Sequence, residues 1–205
     1  MRIITISREF GSGGRELGKR IADILGFDYY DSEIISAVAQ KSDKDVSYVE
    51  SLLDNHGWQD IPISFMGTIG SAGYLNANTV KLLVQQKKVI EEIATLDKDC
   101  VIVGRNADVI LEKYNPFKIF VCADLTSKVS RCQQRAKSEE NLSVKQLKRK
   151  IKQIDKMRAK TRVVLSGQSW GECQDYHLTV NTTDWQIKEL AKSVSHMAKD
   201  WFKDK

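Results

Sequence analysis

Gly11-Ser12-Gly13-Gly14 stands between the apolar run Ile3-Ile4-Thr5-Ile6 and the residues Arg15-Glu16-Leu17. Glycines in such a turn let the backbone take positive φ angles and aim successive amides at one anion. A helix starting near Arg15 adds the positive end of its dipole, so the natural guest is a phosphate. Set against the phosphate-loop consensus G-x-x-x-x-G-K-[ST], with the second glycine on Gly13, Arg8 takes the first glycine's place, Gly14 the lysine's and Arg15 the hydroxyl's. The strict motif is absent, and the nearest cation in the loop, Arg15, comes one residue late. An ordinary strand-to-helix turn would account for the same glycines.

Other candidates belong with this loop. In an open parallel sheet, ligands collect beyond the carboxyl ends of the strands. Asp31, after the second apolar segment, and Arg105, after the third, should arrive there beside the loop. Transfer of a phosphoryl group needs cations on its oxygens and exclusion of water more than covalent help. Arginine suits the task because its planar fork holds two oxygens at once. Asp155, Arg158 and Arg162 stand at i, i+3 and i+7, on one helical face. They read either as an arginine lid closing over phosphates or as a solvated basic face. His56, His177 and His196 are isolated, and no Ser/His/Asp set, H-E-x-x-H or zinc spacing occurs.

The elements that must position these groups follow from periodicity. Strands are predicted at Arg2–Ser7, Phe27–Tyr30, Cys100–Val103, Phe117–Cys122 and Tyr176–Val180, and helices at Arg15–Leu25, Asn76–Leu96, Ala107–Leu111 and Leu125–Arg135. Shorter helices are expected from Glu33 and over Asp43–Leu53, followed by a glycine-rich loop over Asp54–Tyr74. Ser143 and Gln146 form a capping box for a helix to about Val163, and Thr183 with Gln186 would open the last one. Alternating strands and helices argue for a parallel α/β sheet with right-handed crossovers.

The 205 residues suit one domain, and 41% hydrophobic with 29% charged residues is a globular composition. No apolar run approaches a membrane span, and the first strand begins at once, so a cytoplasmic location is expected. Cys100, Cys122, Cys132 and Cys173 lack C-x-x-C spacing and read as reduced core thiols. Nine of the Lys/Arg residues fall between Lys145 and Arg162 with Asp155 as the sole acid, a segment that seeks phosphates.

Ile4-Thr5-Ile6 before the loop, Tyr30-Asp31-Ser32, Val101-Ile102-Val103-Gly104-Arg105 and the Asp155/Arg158/Arg162 helix occur in an order that resembles bacterial cytidylate kinases. Ser7 to Gly14 and Gly104 to Asp108 are more closely similar to the cytidylate kinase-like family, and the resemblance extends through Trp170-Gly171. It implies a P-loop NTPase-like three-layer α/β/α fold with a parallel sheet. A single nucleoside-monophosphate-kinase-like domain is expected, with core 1–33, 79–135 and 172–205, a monophosphate-binding insertion over 34–78 and a helical lid over 136–171. Gly11, Ser12, Gly13, Gly14, Arg15 and Glu16 would bind ATP with Mg²⁺. Arg105 would hold the acceptor phosphate, Arg158 and Arg162 would clamp the transferred group, and Asp31, Asp108 and Asp155 would line the acceptor side. Asn106 replaces an acid that true cytidylate kinases use for the acceptor. Their loop lysine is absent here, so Arg15 is the candidate for its charge and Glu16 for a water-mediated approach to Mg²⁺.

The function implied is transfer of the γ-phosphate of ATP to a nucleoside monophosphate, CMP or dCMP first. A non-catalytic nucleotide-binding regulator with a degenerate loop, and a kinase of another small acceptor, remain as alternatives. Nucleic-acid binding through the basic helix ranks last, because its charges lack interleaved aromatics. No membrane partner is expected, and the oligomeric state is left open.

Overall fold

The computed structural model describes residues 1–31, 77–135 and 142–203. The helices expected from Glu33 and over Asp43–Leu53, the loop after them and all but the end of the 34–78 insertion lie outside the described residues.

Five strands form one sheet: β1 (Ile3–Arg8), β2 (Asp28–Asp31), β3 (Cys100–Val103), β4 (Phe117–Cys122) and β5 (Leu178–Asn181). Their order is β2-β3-β1-β4-β5, and every pairing is parallel. The continuous apolar runs of β1 and β3 have the composition of strands covered on both faces, and each of their residues except Arg8 is buried. β1 lies at the centre, so the loop that leaves it opens at the middle of the carboxyl edge.

Helices cover both faces. On one side α1 (Gly14–Leu25) brings Leu17, Ile21 and Ala22 against Ile4, Ile6, Val101 and Val103. The last helix, α6 (Ile187–Lys203), adds Ile187, Leu190, Ala191, Val194 and Ala198 to the same cluster. On the other side α2 (Ala77–Thr95) packs Val89, Ile90 and Ile93 against Ile3, Cys100 and Ile102, with Ala107 of α3 (Ala107–Ile110). Alternation along β1 thus sends Ile4 and Ile6 to one layer and Ile3 to the other. Each fully buried branched side chain of this kind contributes about 1.5–3 kcal/mol relative to exposure.

A third cluster joins α4 (Leu125–Arg135) to α5 (Val144–Ser166) through Val129, Cys132, Leu147, Ile151 and Phe10. The Ser143–Gln146 capping box is present, and α5 runs on to Ser166 before Gly167 ends it in the left-handed conformation. The other box is not there. α6 starts at Ile187, and the Thr183 hydroxyl instead accepts the Asp124 amide at 2.9 Å, bridging the ends of β4 and β5. All four cysteines are free, but only Cys100 and Cys132 are core thiols; Cys122 is half-buried and Cys173 is exposed. Among the described residues no helix is long and apolar enough to cross a membrane.

Candidate active site

β1 delivers the glycine loop to the carboxyl edge of the sheet. Gly11 (φ 78°) and Gly13 (φ 81°) take the left-handed conformation that side chains resist. Space is equally short: a Cβ at Gly11 would stand 2.8 Å from the Lys128 carbonyl oxygen, and one at Gly13 2.8 Å from Ile187 Cδ1. Ser12 is buried and its Oγ donates to the Glu9 carbonyl at 2.8 Å. Thr182, just past β5, donates its hydroxyl to the Ser12 carbonyl at 2.6 Å. Arg131 of α4 holds Thr182 in turn, reaching its Oγ1 at 3.1 Å and its carbonyl at 2.6 Å. Gly13 caps α1 without any side-chain hydrogen bond, so no side chain of the N-cap residue enters the hollow of the loop in front of the helix.

At the mouth of that hollow the backbone turns left-handed three times in succession, at Gly104 (φ 84°), Arg105 (φ 57°) and Asn106 (φ 53°). For the two non-glycine residues this costs on the order of 1–2 kcal/mol each, a strain of the kind found where side chains must be aimed. Arg158 of α5 comes in from above, donating Nη1 to the Arg8 carbonyl at 2.7 Å. Burial lowers the pKa of its guanidinium well below the usual arginine value, and the positive charges of Arg8 and Arg105 lower it further. Asp155, whose Oδ1 lies 3.5 Å from Arg158 Nη1, and Glu9 oppose that lowering.

Below this cluster lies a layer of paired charges. Lys128 is buried, with Nζ 3.0 Å from Glu9 Oε2 and 3.5 Å from Asp155 Oδ2. Glu9 Oε2 also accepts the Ala123 amide at 3.1 Å, and Asp155 Oδ1 accepts the Phe10 amide at 2.7 Å. Arg162 and Asp108 are both buried and paired with each other. Arg162 further donates to Gln168 Oε1 at 2.9 Å, and Ser7 Oγ lies 3.5 Å from the other Asp108 oxygen.

The residues singled out in the sequence thus divide. Arg158 reaches the loop at the Arg8 carbonyl, and Arg105 follows the Gly104 turn against which the Arg8 guanidinium lies; Arg8 had been noted only for the consensus glycine it displaces. Arg15 is drawn aside to Asp31, Nη2 to Oδ2 at 2.6 Å, and Glu16 is held by Arg20 at 2.9 Å and Arg135 at 2.6 Å. Arg162, Asp108 and Asp155 sit beneath the mouth in ion pairs, so the i, i+3, i+7 face is neither solvated nor uniformly turned to one ligand. Lys128, Glu9, Arg131 and Thr182 were missed. A signal existed for Lys128: it falls on the inward stripe of α4 between Leu125, Val129 and Cys132, where a charge must find partners.

The sheet order and its helical layers are those of P-loop NTPase-like kinases, a class of small-molecule phosphotransferases. Within that class the chain belongs to the cytidylate kinase-like family, whose model matches residues 3–184. A search of curated proteins finds no match to the sequence. Among solved structures, an uncharacterized protein from Eubacterium ventriosum is 22% identical with a TM-score of 0.70, covering 97% of this chain and 99% of that one. Shikimate kinase from Acinetobacter baumannii, solved with shikimate, is 13% identical with a TM-score of 0.55, covering 99% and 96%. Shikimate kinase from Bacteroides thetaiotaomicron is 14% identical with a TM-score of 0.56, covering 97% and 98%. At these identities the likeness is one of fold.

Proposed function

We propose that the protein transfers the γ-phosphoryl group of ATP to a nucleoside monophosphate, with CMP or dCMP as the first acceptor. The observation that supports this reading is the glycine-capped start of α1 behind a loop whose Arg8 carbonyl accepts from Arg158 and whose Arg8 guanidinium lies against the Gly104 turn that precedes Arg105. The loop amides of Gly11 to Arg15 would hold the donor's phosphates. Arg105, aimed by its left-handed backbone, would take the acceptor phosphate, and Arg158 would bridge the two as charge spreads over the transferring group. An acceptor phosphate oxygen would form the new P–O bond as the bond to the β-phosphate breaks, and ADP would leave.

Asp31 and Arg15 would border the acceptor, with α5 in the lid. Asp155 and Arg162 then act as positioning residues, since each is engaged by protein partners. Mg²⁺ would arrive with the nucleotide and neutralise phosphate charge; Glu16, expected to approach it through water, is engaged by Arg20 and Arg135. The family assignment supports the kinase class, and the nucleotide acceptor is the step beyond it.

A coupled assay for ADP release with CMP, dCMP, UMP, AMP and GMP tests the proposal. Turnover with CMP or dCMP above the others is expected; no turnover with any monophosphate and Mg²⁺ would refute it. The loss of the consensus lysine favours a second reading, a nucleotide-binding regulator without catalysis. Tight ATP binding with no ADP release from any acceptor would select it.

A further inference from the structure

We propose that Arg8 supplies, from the strand side of the loop, the phosphate-directed cation that the consensus puts at position 14, and that Gly14 and Gly104 are the two spaces that admit its side chain. The inference rests on the reading of the loop as a phosphate cradle and adds to it the source of the missing charge.

The geometry is that of an exchange between two positions. A Cβ built on Gly14 would lie 2.6 Å from Arg8 Cβ and 3.1 Å from Arg8 Cγ, so the stem of Arg8 runs through the space a side chain at 14 would need. Farther out, a Cβ on Gly104 would lie 1.7 Å from Arg8 Nη1 and 2.6 Å from its Cζ, so the guanidinium lies across the turn that aims Arg105. Arginine at 8 and a side chain at 14 exclude each other. A lysine at 14 is therefore incompatible with this arginine, and the two departures from the consensus are one substitution of origin: the cation comes from the end of β1 instead of the start of α1.

The destination of the charge agrees. The Arg8 guanidinium lies against the Gly104 turn, and Arg158 Nη1 donates to the Arg8 carbonyl at 2.7 Å, so both arginines reach the same end of the loop. Arg15, the cation that the sequence alone offers, is directed to Asp31 on β2. A guanidinium also provides two parallel donors where a lysine provides a point charge, which suits bridging oxygens of neighbouring phosphates.

The test is calorimetric titration of the full-length protein and its variants with Mg·ATP and with inorganic tripolyphosphate, alongside ADP release. Arg8→Ala should weaken both ligands by about 10–100-fold, the range for loss of a charge-assisted contact. Gly14→Lys alone should weaken them as well, because the new side chain collides with Arg8. Arg8→Gly combined with Gly14→Lys re-creates the consensus spacing, and should bind better than the product of the two single effects. Thermal melting of each variant monitors the fold, and Arg8→Met, which keeps an unbranched stem and removes the charge, replaces Arg8→Ala if that variant melts below the assay temperature; it should lose affinity on the same scale. Wild-type affinity in Arg8→Ala, or in Arg8→Met where it stands in, or strictly additive effects in the double variant, would overturn the inference while leaving the phosphate cradle intact. Failure of the wild type to bind either ligand would overturn the cradle itself, and the role of Arg8 with it.

Discussion

Arg162 and Asp108, 54 residues apart in the chain, form an ion pair in which each side chain is 2% exposed. The pair fastens α5 to α3 directly under the mouth of the loop. Breaking a buried pair strands the remaining charge, at a cost of about 3–5 kcal/mol. Arg162→Ala and Asp108→Ala should each lose stability of that order in urea denaturation. Stability within about 1 kcal/mol of wild type would mean that water reaches the orphaned group.

Arg158 makes a different prediction, because its fork is at the mouth and its backbone partner is the Arg8 carbonyl. Removing a donor that acts on the transferring charge lowers kcat by roughly 10²–10³-fold in comparable sites. Arg158→Ala should lose kcat on that scale while the dissociation constant of ATP changes far less, measured by pairing steady-state rates with equilibrium titration.

Gly104 tests the aim of the cluster. Alanine there would meet the Arg8 guanidinium and would also have to adopt φ 84°. Gly104→Ala should displace Arg8 and twist Arg105, lowering kcat/KM by at least about 10-fold, a loss equivalent to one misplaced charge-assisted contact. Melting temperature measured beside kcat/KM distinguishes this from a general loss of fold.

Asp155 gives the chain a pH dependence of definite sign. Burial raises its carboxyl above the usual range, the Phe10 amide, Arg158 and Lys128 oppose the rise, and Glu9 adds to it. The folded state therefore holds this proton more tightly than the unfolded state. The resulting stability is present below the unfolded value of about 3.9 and is lost as pH rises through the higher folded value. Asp155→Asn removes the dependence. Urea titrations from about pH 3 to about pH 7 should find the wild type gaining on the variant as pH falls.

What could be read in the sequence was local. Cys100–Val103 and Phe117–Cys122 are apolar runs of strand length, and both became strands with those bounds. The Ser143 cap formed because its partner Gln146 is in the same turn. Thr183 looked equally good in isolation, but its hydroxyl is taken by the Asp124 amide on a neighbouring connection, which no local pattern encodes. The site shows the same division. Glycines, Arg105 and Arg158 were legible as types suited to phosphate, whereas the diversion of Arg15 depends on the register that sets Asp31 beside Val103. Charge counting likewise could not separate buried Arg162 from the outward Lys148 and Arg149 of the same helix.

The central claim is that the start of α1 and the arginines above it receive a nucleotide's phosphates. The most direct measurement is a crystal structure of the protein with Mg·ATP. The account predicts the β-phosphate within hydrogen-bonding distance of the Gly13, Gly14 and Arg15 amides, with the Arg8 and Arg158 guanidinium groups on phosphate oxygens. A nucleotide bound elsewhere, or a hollow closed by the protein's own side chains while ATP is present, would contradict it.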